Sequence, residues 1–143
     1  MTNLSDRYYV MTYGTLMQGQ YNHIFMQEAQ GEFIDKAISV DEKFTMLSVH
    51  ESFPAIVGGK SNFLGEIYAV PAEGILNVLD VLEGYPTHYD RAIFNFKGLT
   101  TGKEYKALTY IYTTASIYTM NSGLIDEKQS QKITLENNVY KWM

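Results

Sequence analysis

Strand-like runs dominate the pattern of apolar and polar positions in this chain, and one segment breaks that rhythm clearly enough to be a helix. Residues 8–13 alternate, with Tyr9, Met11 and Tyr13 on one side and Tyr8, Val10 and Thr12 on the other. Gly14 ends this run, a loop covers residues 15–20, and a short helical piece follows at 22–27. Further strands are predicted at 32–40, 44–49, 55–57 and 62–70, with Gly58-Gly59-Lys60 as a hairpin turn before the last. Residues 89–97 and 104–113 form a strand pair around Leu99-Thr100-Thr101-Gly102.

The helix begins after Pro71, which suits a helix start. Ile75, Val78, Leu79 and Leu82 then fall at i, i+3, i+4 and i+7, one apolar face. Gly84 fits the left-handed residue that ends helices, and Pro86 blocks continuation. The polar tail over 126–142 is also predicted as a helix. Many strands, few helices and no parallel βαβ alternation describe an α+β chain with a mostly antiparallel, barrel-like sheet.

Composition narrows the picture. A chain of 143 residues with 45% hydrophobic and 19% charged positions suits one domain with a real core. Twelve Tyr and seven Phe favour strands and pocket walls. The net charge of −5, without a basic cluster, argues against nucleic acid as a partner. No apolar stretch approaches the roughly 20 residues of a membrane helix, and residues 1–6 carry no signal-peptide core, so no membrane partner and a cytoplasmic location are expected. The absence of cysteine excludes thiolate catalysis and disulfides.

Candidate chemistry starts with Glu83. A carboxylate in the last turn of a helix sits where cations are preferred, and burial there would add to the upward push on its pKa. That is how a general acid/base is tuned toward neutral pH; the plainer alternative is a solvated surface glutamate. Asp80, one turn earlier, either adds like-charge repulsion or points to solvent. In Tyr13-Gly14-Thr15-Leu16, a glycine after a strand allows consecutive amides to form a concave anion site, or else marks an ordinary turn. Phe53-Pro54-Ala55-Ile56-Val57 is a pocket wall or a buried strand. Tyr85, His88 and Tyr89 can place polar groups near Glu83, with Tyr89 as a hydrogen-bond donor. His23, His50 and His88 lack metal-ligand spacing, so no metal is expected. No G-x-S-x-G elbow and no phosphate-loop glycine pattern occurs.

Taken in order, Tyr13-Gly14-Thr15-Leu16, Phe53 to Val57, Gly65 to Val70, Leu79 to Pro86, Tyr89-Asp90-Arg91 and Ala107 to Tyr112 resemble the gamma-glutamylcyclotransferase-like family, which includes AIG2-like proteins and gamma-glutamylamine cyclotransferase. The resemblance spans about residues 8–113. It implies a single-domain mixed, mostly antiparallel β-barrel with flanking helices and a pocket at one end, residues 114–143 forming a C-terminal extension. It also implies Glu83 as catalytic acid/base, Tyr13, Gly14, Thr15 and Leu16 as the substrate-holding loop, and Tyr89 as a pocket-lining residue. The implied reaction closes a gamma-glutamyl amine or peptide to 5-oxoproline without any cofactor. A non-catalytic carboxylate-binding module and a hydrolase are the alternatives. The leaving amine and the oligomeric state are left open.

Overall fold

The computed structural model describes residues 7–113, 117 and 123–143. Its strands are β1 (Arg7–Thr12), β2 (Glu32–Ser39), β3 (Phe44–Val49), β4 (Phe53–Gly58), β5 (Asn62–Pro71), β6 (Tyr89–Gly98), β7 (Glu104–Tyr112), β8 (Leu124–Ile125), β9 (Ile133–Glu136) and β10 (Val139–Trp142). Helix α1 is His23–Glu28, and α2 spans residues 72–83.

Five strands close on themselves. β1 pairs antiparallel with β5 and parallel with β7; β7 pairs with β6, β6 with β2 and β2 with β5, all antiparallel. The result is a mixed five-strand barrel with few helices, as the sequence pattern and the resemblance implied. Closure removes the open strand edges that a sheet of this size would otherwise expose. A register shift between Phe33 and Asp35 bends β2 where the barrel turns. β3 sits between β4 and β8 in a separate three-stranded sheet.

Buried side chains form two clusters on opposite faces of the barrel wall. Met11 joins Phe63, Ile67 and Phe96, whereas its neighbour Val10 joins Met26, Val70 and Leu79. Both faces of β1 are therefore covered from Val10 onward, and burying a side chain such as Leu79 or Phe63 contributes about 1.5–3 kcal/mol.

The apolar stripe of α2 seats on the second cluster, with Ile75 and Leu79 buried. Its middle, Ile75–Leu79, is wound as a π-helix between α-helical Ala72–Gly74 and Asp80–Glu83. Gly74 is required there: a Cβ would stand 2.1 Å from the Ala29 carbonyl oxygen at the end of α1. Gly84 takes φ 65°, and the chain doubles back with Tyr85 N–H donating to the Asp80 carbonyl at 3.0 Å. Glu83 is thereby the last helical residue. The Tyr85–Pro86 peptide is cis.

Two sequence-based expectations fail. Gly58-Gly59-Lys60 does not join a hairpin, because β4 pairs with β3 and β5 belongs to the barrel. The segment is a crossover between sheets, pinned by Gly59 N–H on the Lys43 carbonyl and by paired bonds between Phe44 and Ser61. The tail over 126–142 is not a helix but a turn followed by the β9–β10 hairpin, with β10 lying parallel against the start of β5. Asn137 and Asn138 hold φ 52° and 63°, the left-handed pair that a two-residue hairpin turn needs. Tyr140 and Trp142 are buried on either side of exposed Lys141, a strand period.

Candidate active site

A cavity of about 340 Å³ opens at one end of the barrel, within the size range of small-ligand sites. Its wall includes all six residues that the resemblance assigned to the site, Tyr13, Gly14, Thr15, Leu16, Glu83 and Tyr89, whereas the further candidates Asp80 and Tyr85 do not line it. They arrive from three places: the end of β1, the end of α2 and the start of β6. Phe53 and Pro54 add the wall from β4, and His88 precedes β6.

The loop after β1 is polarised. Every carbonyl from 14 to 16 is taken: Met17 N–H donates to Gly14 at 3.1 Å, Asn22 N–H to Thr15 at 2.9 Å, and His23 Nδ1 to Leu16 at 2.8 Å. The last of these fixes Nδ1 as the protonated ring nitrogen. Asn22 Nδ2 also donates to the Thr15 hydroxyl at 3.0 Å. By contrast, no hydrogen bond among the described residues takes up the N–H groups of Gly14, Thr15 or Leu16. Three successive uncommitted donors form the kind of backbone concavity that holds an anion. The glycine is demanded by packing and not by its dihedrals, since a Cβ at position 14 would meet Pro54 Cγ at 2.4 Å.

Glu83 is half-buried at the cavity wall, and burial pushes its carboxyl up from the ordinary 4.5 to about 7. Desolvation is the whole cause. Asp80 takes no part in this, contrary to both expectations for it. It is buried and turned toward the sheet, where it accepts the Tyr110 hydroxyl at 2.6 Å and pairs with Arg91 at 3.4 Å.

The phenols near Glu83 are neutral donors. Burial first, and the Glu83 carboxyl next, raise Tyr13 well above its ordinary value; burial, then Tyr13 and Glu83, do the same to Tyr89. Tyr13 donates to the Tyr110 carbonyl at 2.6 Å and Tyr89 to the Pro54 carbonyl at 2.9 Å. Tyr89 thus spends its proton on tying β6 to β4. His88 packs edge-on to Tyr89 and Tyr112, with ring centroids 5.2 and 5.1 Å away.

Sequence reasoning missed Met11, Thr12, Tyr21, Asn22, Leu82 and Tyr110 in the cavity wall. Asn22 opens the helical piece predicted over 22–27 and immediately precedes α1, a recognisable start signal. Tyr21, whose hydroxyl donates to the Ser52 carbonyl at 2.9 Å, and Tyr110 gave no signal, because their partners lie 31 and 30 residues away.

A family model described as gamma-glutamyl cyclotransferase, AIG2-like, matches residues 10–138, and the chain belongs to that family. Two relatives carry the name "Putative gamma-glutamylcyclotransferase". One, CG2811 of Drosophila melanogaster, is 34% identical over 89 residues, covering 57% of this chain and 55% of the relative. The other, from Vibrio cholerae, is 34% identical over 84 residues, covering 57% and 67%. The chain thus matches about half the length of the Drosophila protein. The crystal structure of a mouse AIG2-like protein superposes with a TM-score of 0.65 at 28% identity, covering 76% of this chain and 78% of the mouse chain. Among the described residues, no helix is long and apolar enough to cross a membrane.

Proposed function

We propose that this member of the family cyclises a gamma-glutamyl amine or peptide to 5-oxoproline and releases the amine, with Glu83 as general acid/base. One observation carries the reading: a carboxyl poised at about 7 and three uncommitted amides line the same cavity.

The chemistry follows from the substrate. A gamma-glutamyl amide carries its own nucleophile, the α-amine, four bonds from the carbonyl carbon it attacks, so closure makes a five-membered ring. Its α-carboxylate would rest on the N–H groups of residues 14–16, orienting the chain so that amine and γ-carbonyl meet. Such orientation can contribute several kcal/mol of the barrier. Ionised Glu83 accepts a proton from the α-ammonium; the freed amine forms the new C–N bond as the carbonyl π electrons move to oxygen. Collapse of the tetrahedral intermediate re-forms the carbonyl and breaks the bond to the leaving nitrogen, which takes the proton from Glu83; the carboxylate then accepts the second proton of the ring nitrogen, leaving the neutral lactam, and passes it to the departing amine. Carboxyl and substrate end with their original proton count. An acid near 7 is matched to both halves of this exchange. A neutral Tyr13 or Tyr89 keeps the wall free of further negative charge.

The test is mass-spectrometric detection of 5-oxoproline across gamma-glutamyl amines, dipeptides and a glutathione-like tripeptide. Release of 5-oxoproline with stoichiometric amine is expected from at least one. Free glutamate in its place would mean hydrolysis, and saturable binding without product would mean a binding module; either result rejects the proposal.

A further inference from the structure

One helical turn before Glu83, the buried Asp80 joins a network that reaches both halves of the cavity. Its Oδ1 receives the Tyr110 hydroxyl at 2.6 Å, and its Oδ2 faces Arg91 Nη1 at 3.4 Å. The same Arg91 guanidinium stacks 4.2 Å from the centre of the Tyr85 ring. Asp80 and Tyr85 flank the turn at Glu83 and Gly84, so that turn is held from both sides by one side chain on β6. Tyr110 in turn receives the Tyr13 hydroxyl on its main-chain carbonyl at 2.6 Å. Through its side chain Tyr110 grips the end of α2, and through its backbone it grips the residue that opens the amide loop.

We infer that Tyr110 and Asp80 are positioning residues, which hold the Glu83 carboxyl and the 14–16 amides at the separation that cyclisation requires. The inference rests on the reading of Glu83 as the acid/base. Packing alone gives no reason for a network of this kind. An ion pair, whether buried or partly exposed as here, is a weak source of stability, and apolar side chains of similar volume would anchor a helix at least as well. What hydrogen bonds add is direction, and the short bond of a phenol to a carboxylate is among the stronger and more directional ones. A misplacement on the order of 1 Å can cost about a hundredfold in rate.

Tyr110→Phe separates the two grips. The ring and the main-chain carbonyl stay, so Tyr13 and the loop keep their anchor, while the end of α2 loses the phenol and keeps only its Arg91 contacts. KM is expected to remain within about threefold of wild type and kcat to fall by about ten- to a hundredfold. With the turn loosened, water reaches Glu83, and its titration midpoint, followed by carboxyl ¹³C NMR on the ligand-free protein, should move down from about 7 toward 4.5. The other titratable groups facing Glu83 from the cavity wall, Tyr13, Tyr21, Tyr89 and His88, are untouched by this change.

Asp80→Asn, which keeps the shape and removes the charge, should move both quantities in the same direction. A merely structural role would lower the melting temperature of the two variants and leave the Glu83 midpoint where it was; that result overturns the inference. So do folded variants with wild-type kcat. If Glu83→Gln itself turns over like wild type, the acid/base reading falls instead, and the midpoint in Tyr110→Phe still decides whether this network sets the surroundings of Glu83.

Discussion

Replacing Glu83 by Gln should make the protein more stable at alkaline pH while stopping its turnover. The carboxyl is withdrawn from bulk water, which raises it from 4.5 to about 7. Between those values the native state holds a proton that the unfolded chain has released. Unfolding stability therefore falls as pH rises from 4.5 through 7, and stays lower above it. At about 1.4 kcal/mol per pH unit the full effect is roughly 3 kcal/mol, and the partial exposure of Glu83 reduces the expectation to about 1–3 kcal/mol. Glutamine does not titrate, so this loss is absent in the variant. Its amide needs hydrogen bonds of its own, an offset of about 1 kcal/mol or less. Trp142, the only tryptophan, is buried and reports unfolding by fluorescence. Urea titrations at pH 4 and pH 8 should give matching stabilities at the lower pH and a more stable variant at the higher. Formation of 5-oxoproline should drop by about 10²–10⁴-fold, the contribution of general acid–base catalysis. Parallel stability curves for the two proteins would refute the burial of a charge at position 83. Turnover near wild type would refute its role.

Other outcomes follow from the same geometry. Gly14→Ala places a methyl group 2.4 Å from Pro54 Cγ and 2.6 Å from Cδ; relieving that clash should cost about 1–3 kcal/mol. Because the shift acts on the amide loop, 5-oxoproline binding measured by calorimetry should weaken more than the melting temperature alone would suggest. Asp35→Asn tests the β6–β7 turn, which hangs on one buried carboxylate accepting the Thr100 and Thr101 amides and the Thr101 hydroxyl. Burial alone would raise that carboxyl, but these bonds more than offset it and hold it below its ordinary 3.8. Its contribution is present above 3.8 and disappears as pH falls through the lowered value. The variant should lose about 2 kcal/mol at pH 7, a gap that narrows toward pH 3 in urea titrations.

Much of the architecture was legible because it rests on local rules. The stripe Ile75, Val78, Leu79 and Leu82 marked α2, and Gly84 marked its end with the φ of 65° that such a residue needs. The tail was misread because a stretch of mixed polar residues suggested a solvated helix. The informative signals were Asn137-Asn138 and the alternation of Tyr140, Lys141 and Trp142, a turn and a strand period. Gly58-Gly59 was misread for a different reason: a turn dipeptide states that the chain bends, not which strand its next segment will meet.

From the sequence alone came the motif order, the helix that stops on an acid and the glycine after β1, since each is written in neighbouring residues. Only the tertiary structure decided that Asp80 faces Tyr110, that Pro54 requires Gly14, and that Glu83 is short of water. Hydrogen-bond partners 30 residues apart and the desolvation of a carboxyl are sums over side chains from several strands. Those sums take their value only when the barrel closes.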